Sequence, residues 1–387
     1  MKIIHTGDWH IGKIVNEFHM TEDQEYILNE FIGIVKEENP DVIIIAGDLY
    51  DRSVAPVEAV ELLDRVFSEI LLKLNTPILA IAGNHDSPER LSFGSEILKN
   101  KGLYIDGILK KDIRKVTFKD KFGPVNFYMV PYADPAYMRE VFEDENIKSF
   151  DDAYKRIIEE IDKKINLEER NVLITHGFVV GDKEPELSES ERPLSIGGTD
   201  YIKAEYFKNF NYTALGHLHG AQKVLNNKIR YSGSILKYSF SEVKQKKSLT
   251  IVEMDENGEV KIRLKELKPK KDMRIIKGEI DALLDPKVYE ETNIEDYLSV
   301  ILTDEGELID PIGKLRAVYP NVMLLSRENN NLREDSKTSA GEGFKKKSKL
   351  ELFKAFYEDI TGKDFTDDKY EIAEEVIDKV EKSEEGA

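Results

Sequence analysis

Five of the seven histidines in this 387-residue chain stand at the ends of short apolar runs, next to glycine and acidic residues. Asp8 and His10 follow "KIIHT", Asp48 follows "VIIIAG", and Asn84 and His85 follow "ILAIAG"; His176 follows "VLIT", and His217 and His219 follow "YTALG". In "DWH" and "HLH" the i, i+2 spacing sends both side chains to one side of an extended segment, so each pair can grip one ion or two neighbouring ions. Carboxylates, one amide oxygen and several imidazoles form a mixed N/O donor set suited to Mn²⁺, Fe²⁺ or Zn²⁺ rather than to Ca²⁺. The chain has no cysteine, which excludes disulfides, thiolate zinc sites and a cysteine nucleophile. It also has no P-loop signature, so metal-assisted hydrolysis is the leading chemistry. Two cations about 3.5 to 4 Å apart activate water, orient a phosphate and neutralise charge during in-line displacement. Taken singly, each residue has a plainer reading: a strand-end Asp caps a helix or forms a turn, and a lone His is usually a satisfied structural one. The joint pattern is what points to a metal centre. His5, inside the first strand, and His19, in a loop or helix start, are read as structural.

The elements that must position these residues alternate. "KIIHT", "DVIIIAG" and "PILAIAG" read as buried strands, with amphipathic helices over roughly 21–38 and 56–73 between them, which is βαβαβ logic in an α/β protein. Ligands in open α/β sheets collect just beyond strand carboxyl ends, so several termini can converge on one site. Strands are expected over 111–131, a helix over 149–166 with Ser149 as N-cap, and "NVLITHG" as another buried strand. Short β runs follow to Lys268, then a smaller α/β unit, then a polar stretch without periodicity that reads as a linker. The division expected is 1–268, 269–326, 327–348 and a helical segment over 349–387. In that last segment Leu350, Phe353, Phe356, Tyr357 and Ile360 recur at helical spacing, and Val376, Ile377 and Val380 form a second stripe after Thr366. No run is long and apolar enough to span a bilayer and export is not signalled at the N-terminus, so a cytoplasmic location is expected. The net charge of −19 argues against gripping nucleic acid over the whole surface. The charge is uneven, however: Ser326 to Lys349 carries 7 basic and 4 acidic residues, so a DNA substrate stays open.

"GDWHIG", "GDLYDR", "GNHDSPER", "THG" and "GHLHG", in this order, resemble the calcineurin-like metallophosphoesterases. "SESERPLSIGGTDYI" and "YSGSILKYSFSE" are similar to the bacterial SbcD nucleases, relatives of the nuclease subunit in eukaryotic double-strand-break repair. The resemblance implies a two-sheet αββα sandwich, a smaller α/β capping domain that faces DNA, and C-terminal helices that bind a coiled-coil ATPase of the SbcC type. It implies a homodimer within a heterotetramer and a nucleoid-associated, Mn²⁺-dependent nuclease with 3′ to 5′ double-strand exonuclease and single-strand endonuclease activity. Carried over by motif, Asp8, His10, Asp48 and His219 hold one ion; Asp48, Asn84, His176 and His217 hold the other. His85 is then the catalytic residue, a phosphate contact or proton donor, and Asp86 braces its loop. Arg52 and Arg90 are candidate DNA contacts, with solvated or ion-paired surface arginine as the equal alternative. Asp51 departs from the archaeal and eukaryotic pattern, which has a second histidine there, so that histidine's role does not transfer. A small-molecule or protein phosphoesterase uses the same scaffold, because substrate loops rather than metal ligands separate these classes. A catalytically silent scaffold is the third reading; it usually loses ligands, and here every expected one is present.

Overall fold

The computed structural model describes residues 1–191, 201–328 and 349–361, together with 365–366, 368–370, 372–374 and 376–377. The parallel strands β1 (Lys2–Thr6), β2 (Val42–Ile45), β3 (Ile78–Ile81) and β4 (Leu103–Asp106) begin one sheet. A second sheet contains β5 (Arg114–Asp120), β6 (Gly123–Val130), β7 (Arg170–His176), β8 (Tyr212–Gly216) and β9 (Ile229–Tyr231). The chain then returns to the first sheet with β10 (Ser248–Met254) and β11 (Val260–Glu266). The resulting orders are β11-β10-β1-β2-β3-β4 and β9-β8-β7-β6-β5, the latter extended at β9 by the two-residue strand Gln222–Lys223.

Strand alternation explains how the sheets stack. Ile3, Val42, Ile44, Leu79 and Ile81 face Val125, Phe127, Val172, Ile174 and Tyr212 in the interior between the sheets. The alternate residues Ile4, Ile43, Ile45 and Ile78 turn outward onto α1 (Thr21–Glu38) and α2 (Val57–Ser68). On the other side of the sandwich, Tyr128, Val130, Leu173 and Leu215 likewise turn outward onto helices. Strands buried on both faces carry continuous Ile/Val runs for this reason. The product is the αββα sandwich that the resemblance implies. After α2 along the chain come the short α3 (Pro88–Ser92) and α4 (Ser95–Leu98), then α5 (Pro135–Phe142) and α6 (Phe150–Asp162), which cover the second sheet. Ser149 caps α6 in a reciprocal capping box with Asp152, which satisfies two N–H groups that otherwise lack helical partners. The helix expected over 56–73 is α2 followed by a π-helical turn, Glu69–Lys73.

A separate three-stranded parallel sheet, β12 (Met273–Gly278), β13 (Tyr297–Leu302) and β14 (Val322–Arg327), buries one face against α7 (Ile280–Leu283), α8 (Pro286–Tyr289) and α9 (Pro311–Arg316). Arg327, expected to open the linker, is the last residue of β14, because Leu302 on β13 gives it a ladder partner. Most of that linker, 329–348, lies outside the described residues. A buried hydrogen bond from Tyr297 Oη to Asp23 Oδ2 (2.6 Å) ties this sheet to α1, and Lys237 pairs with Asp272 at 2.8 Å. The C-terminal helix α10 (Lys349–Thr361) packs Phe353 and Tyr357 against Phe365, with ring centroids 5.9 and 5.2 Å apart. Among the described residues, no helix is long and apolar enough to cross a membrane.

Candidate metal centre

The carboxyl ends of β1, β2, β3, β7 and β8 meet at one edge of the sandwich. Register brings Gly216 beside His176, and the Ala46 carbonyl, just past β2, accepts His176 Nδ1–H at 2.8 Å. A Cβ at Gly216 would overlap that carbonyl oxygen, and one at Gly83 would overlap Asp48 Oδ1. Glycine is therefore a steric requirement for the sheets to close at the site. Asp8, His10, Asp48 and His217 have φ of 52, 47, 52 and 109°, left-handed backbone that costs about 1 to 3 kcal/mol at each non-glycine residue and persists where surrounding contacts enforce it. Here those contacts are Asp8 N to the Gly47 carbonyl (3.0 Å), His10 N to the Asp48 carbonyl (2.9 Å) and Trp9 Nε1 to Thr6 Oγ1 (2.9 Å).

Two donor groups share one carboxylate. Asp48 Oδ2 lies 3.6 Å from His10 Nε2 and 3.5 Å from His176 Nε2. On one side His10 Nε2 and His219 Nε2 approach to 3.1 Å. On the other, Asn84 Oδ1 is 2.9 Å from His176 Nε2 and 3.3 Å from His217 Nδ1. Asp8 Oδ1 accepts His217 N–H at 2.8 Å, while Asp8 Oδ2 is buried with no hydrogen-bond partner among the described residues. Asp8, Asp48 and His176 offer ligand atoms within 4.8 Å of one another.

Electrostatics fit a cation. Burial, then repulsion by Asp48, raises the Asp8 carboxyl far above its usual range. Burial also raises Asp48 to about 6. It lowers His176 and His219 to about 4 and pushes His10 and His217 well below 6.5. The imidazoles are thus neutral, their metal-binding form, and the buried carboxylates lack compensating charge that a divalent ion supplies.

His85 sits beside this group with its ring edge-on to His10, centroids 4.6 Å apart. Its Nδ1 donates to the Asp51 backbone carbonyl at 2.8 Å, which leaves Nε2 free of that tether. Asp51 contributes differently through its side chain: Oδ1 accepts from Lys13 Nζ at 2.7 Å and lies 3.7 Å from His10 Nδ1. His10, Asp51 and His85 form a second cluster within 4.8 Å. Asp86 accepts from Leu49 N, Tyr50 N and Gly83 N at 3.1, 3.0 and 2.9 Å, bracing the loops after β2 and β3 to each other. Arg52 and Arg90 are exposed, and Arg90 lines an apolar groove with Phe93 and Leu98. His5 is buried in β1 with Nδ1 2.8 Å from Tyr212 Oη, a link between the two sheets, and His19 is exposed in a two-residue strand.

Several supporting residues carried no signal in the motif reading. Buried Gln24 on α1 donates to the His10 carbonyl at 2.7 Å and accepts Gly12 N–H at 2.9 Å, so the helix holds the loop bearing His10. Tyr238 Oη donates to the Trp9 carbonyl at 2.5 Å. Glu242 and Lys247, both buried, stand behind His219. Outside the motifs, two features mark them in the sequence: a polar residue inside an apolar helical stripe at Gln24, and the acid closing "YSFSE" at Glu242.

Among the C-terminal candidates, Phe353, Tyr357, Val376 and Ile377 line one apolar pocket of about 300 Å³. Leu350 is buried and Phe356 is exposed. The Ile360 side chain and Val380 lie outside the described residues.

Comparison with known families finds the calcineurin-like phosphoesterase model matching residues 1–221. The SbcD C-terminal model, described as the type 5 capsule protein repressor C-terminal domain, matches residues 269–361. Among solved structures, TT1561 of Thermus thermophilus is similar at 12% identity and a TM-score of 0.39, over 68% of this chain and 98% of that one. A dimetal phosphatase from Danio rerio is similar at 12% identity and 0.40, over 65% and 92%.

Proposed function

The chain belongs to the calcineurin-like phosphoesterase family, and from that premise we propose that it is the nuclease subunit of an SbcCD-type complex that processes DNA ends. The observation that carries the reading is the shared position of Asp48 Oδ2, 3.6 and 3.5 Å from the facing nitrogens of His10 and His176, in a chain whose second matched region is SbcD-like. Asp8, His10, Asp48 and His219 would hold one divalent ion, and Asp48, Asn84, His176 and His217 the other, with Mn²⁺ suited to this N/O set. Such a pair supplies Lewis-acid stabilisation of a phosphate and lowers the pKa of water. The protein's own part is to fix the donors in strained loops, keep the imidazoles neutral, and aim His85 at the phosphate or leaving oxygen while the Asp51 carbonyl orients its ring. Exonuclease action from 3′ ends of duplexes and endonuclease action on single strands are the activities proposed. A small-molecule or protein phosphoesterase is the second reading, since the donor set serves both.

Residues 269–326 are proposed as the DNA-contacting cap. They add no histidine, and the family ligands lie elsewhere. Removing Asp272–Ser326 is expected to weaken duplex binding more than hydrolysis of a small phosphodiester, measured on a folded protein. Equal loss of both counts against the cap as a DNA-binding unit.

A homodimer is supported by exposed apolar residues on neighbouring elements. Val60 and Leu72, from α2 and the turn after it, line one groove of about 530 Å³ with Phe93 and Leu98, and Phe93 is 86% exposed. The C-terminal helices are proposed as the docking module for the coiled-coil ATPase. Exposed Phe353 and Phe356 on α10, and Ile372 and Val376 after it, support it, because helix-in-groove docking uses anchors three or four residues apart. A chain ending at Ser348 is expected to keep Mn²⁺-dependent nuclease activity and to lose co-purification with the ATPase; retention of the complex contradicts the assignment.

A further inference from the structure

Behind His219 a segment of chain from Glu186 to Glu191 is strapped across the site. Glu186 N donates to Gln222 Oε1 at 2.9 Å, Glu189 N to Ser241 Oγ at 3.0 Å, and His219 N to Glu191 Oε1 at 2.7 Å. The strap delivers Ser190 Oγ to 2.6 Å from His219 Nδ1. The same hydroxyl makes a short hydrogen bond to Glu242 Oε1, and that oxygen also lies 3.3 Å from His219 Nδ1. Glu242 is fully buried. Its other oxygen takes Lys247 Nζ at 2.6 Å, and the ammonium also reaches the His219 carbonyl at 2.8 Å and Ser234 Oγ at 2.9 Å. A buried carboxylate is tolerable only when paired in this way.

Proton counting gives the direction of the chain. An ionised carboxylate only accepts, and a serine hydroxyl has one proton to give. The Ser190 proton therefore goes to Glu242, and Ser190 Oγ must accept from His219. The direct contact from Glu242 to Nδ1 requires the same arrangement. We propose that Ser190 and Glu242 are positioning residues that hold His219 as the Nδ1–H tautomer, with its Nε2 lone pair turned toward His10 and the metal centre. This rests on the dimetal reading above and adds a support to it that the motifs do not specify. It also makes the strap part of the metal site: displacing residues 186–191 withdraws the acceptor that orients one ligand.

The test uses the full chain. In metal-free wild type at pH 7.5, the His219 ring should show the Nδ1-protonated tautomer in ¹⁵N spectra, assigned by loss of its signals in His219→Gln. Ser190→Ala, which leaves the ring only the longer 3.3 Å contact to Glu242 Oε1, should weaken that preference and let a fraction of Nε2–H appear. Calorimetric titration with Mn²⁺ should show two ions on wild type. In both Ser190→Ala and Glu242→Gln, one site should weaken by about 10- to 100-fold, as loss of an outer hydrogen-bond partner does, with the other site unchanged. Ser190→Ala should melt with the metal-free wild type, which separates positioning from folding and carries the test if Glu242→Gln is unstable. A wild-type ring in the Nε2–H form, or a Ser190→Ala protein with both affinities intact, overturns the relay. Wild type binding fewer than two ions overturns the dimetal reading instead.

Discussion

A His85→Gln protein is expected to hydrolyse phosphodiesters about 10² to 10⁴ times more slowly than wild type, the usual worth of a positioned proton donor, while retaining two metal ions per chain. The expectation follows from what each part of residues 83–86 touches. The Asn84 amide oxygen lies between His176 and His217, whereas the His85 ring is tethered through Nδ1 to the Asp51 carbonyl and its backbone N–H donates to Asp48 Oδ1 at 2.8 Å. That backbone contact survives any side-chain substitution, so Asp48 stays in place. Glutamine keeps a polar group of similar reach but cannot deliver a proton near neutral pH. Elemental analysis decides the role: loss of one ion together with activity would make His85 a ligand, through its cluster with His10 and Asp51.

Asp48→Asn is expected to have the larger effect on metal content, taking it from two ions per chain towards none. One oxygen serves both donor groups, and asparagine removes the charge that balances the cations. The same carboxylate predicts a pH dependence. In the metal-free chain its folded pKa is raised from 3.8 to about 6, so the folded state binds a proton that the unfolded state has already released between those values. Its contribution to stability is therefore lost as pH rises from about 4 to about 6. Asp86, raised to about 7 by burial and by Asp48, acts in the same direction. Mn²⁺ competes with that proton, so its affinity is expected to fall by about tenfold per pH unit below 6. Metal should accordingly raise the melting temperature more at pH 7.5 than at pH 5. An equal increment at both values, or metal-replete Asp48→Asn, contradicts the shared-ligand role.

The clustering of Asp8, His10, Asp48, Asn84, His176, His217 and His219 was legible because each lies at the end of an apolar run, and parallel strands put such ends on one edge. The inner and outer faces were legible in the same way, from unbroken runs such as Val42–Ile45. Less visible were the contacts that side chains make with the side chains or backbone carbonyls of residues distant in sequence. Lys247 and Glu242 reach His219 over 28 and 23 residues, and Gln24 reaches His10 from the first turn of a helix. No local periodicity encodes such pairings. The role of Asp51 was hidden for another reason: its backbone carbonyl orients His85, and a backbone group leaves no mark in residue type. Arg327 was misplaced because a polar strand end looks like linker until its ladder partner on β13 is known.

Whether this metal centre acts on DNA is decided by one assay. Purified full-length chain is given Mn²⁺, end-labelled duplex DNA and a generic phosphomonoester in one reaction, with Asp48→Asn as the blank. The expected result is metal-dependent shortening of the duplex, little turnover of the monoester, and neither reaction in Asp48→Asn. Rapid monoester hydrolysis with intact DNA would contradict it and assign the same metal centre to a small-molecule or protein phosphoesterase.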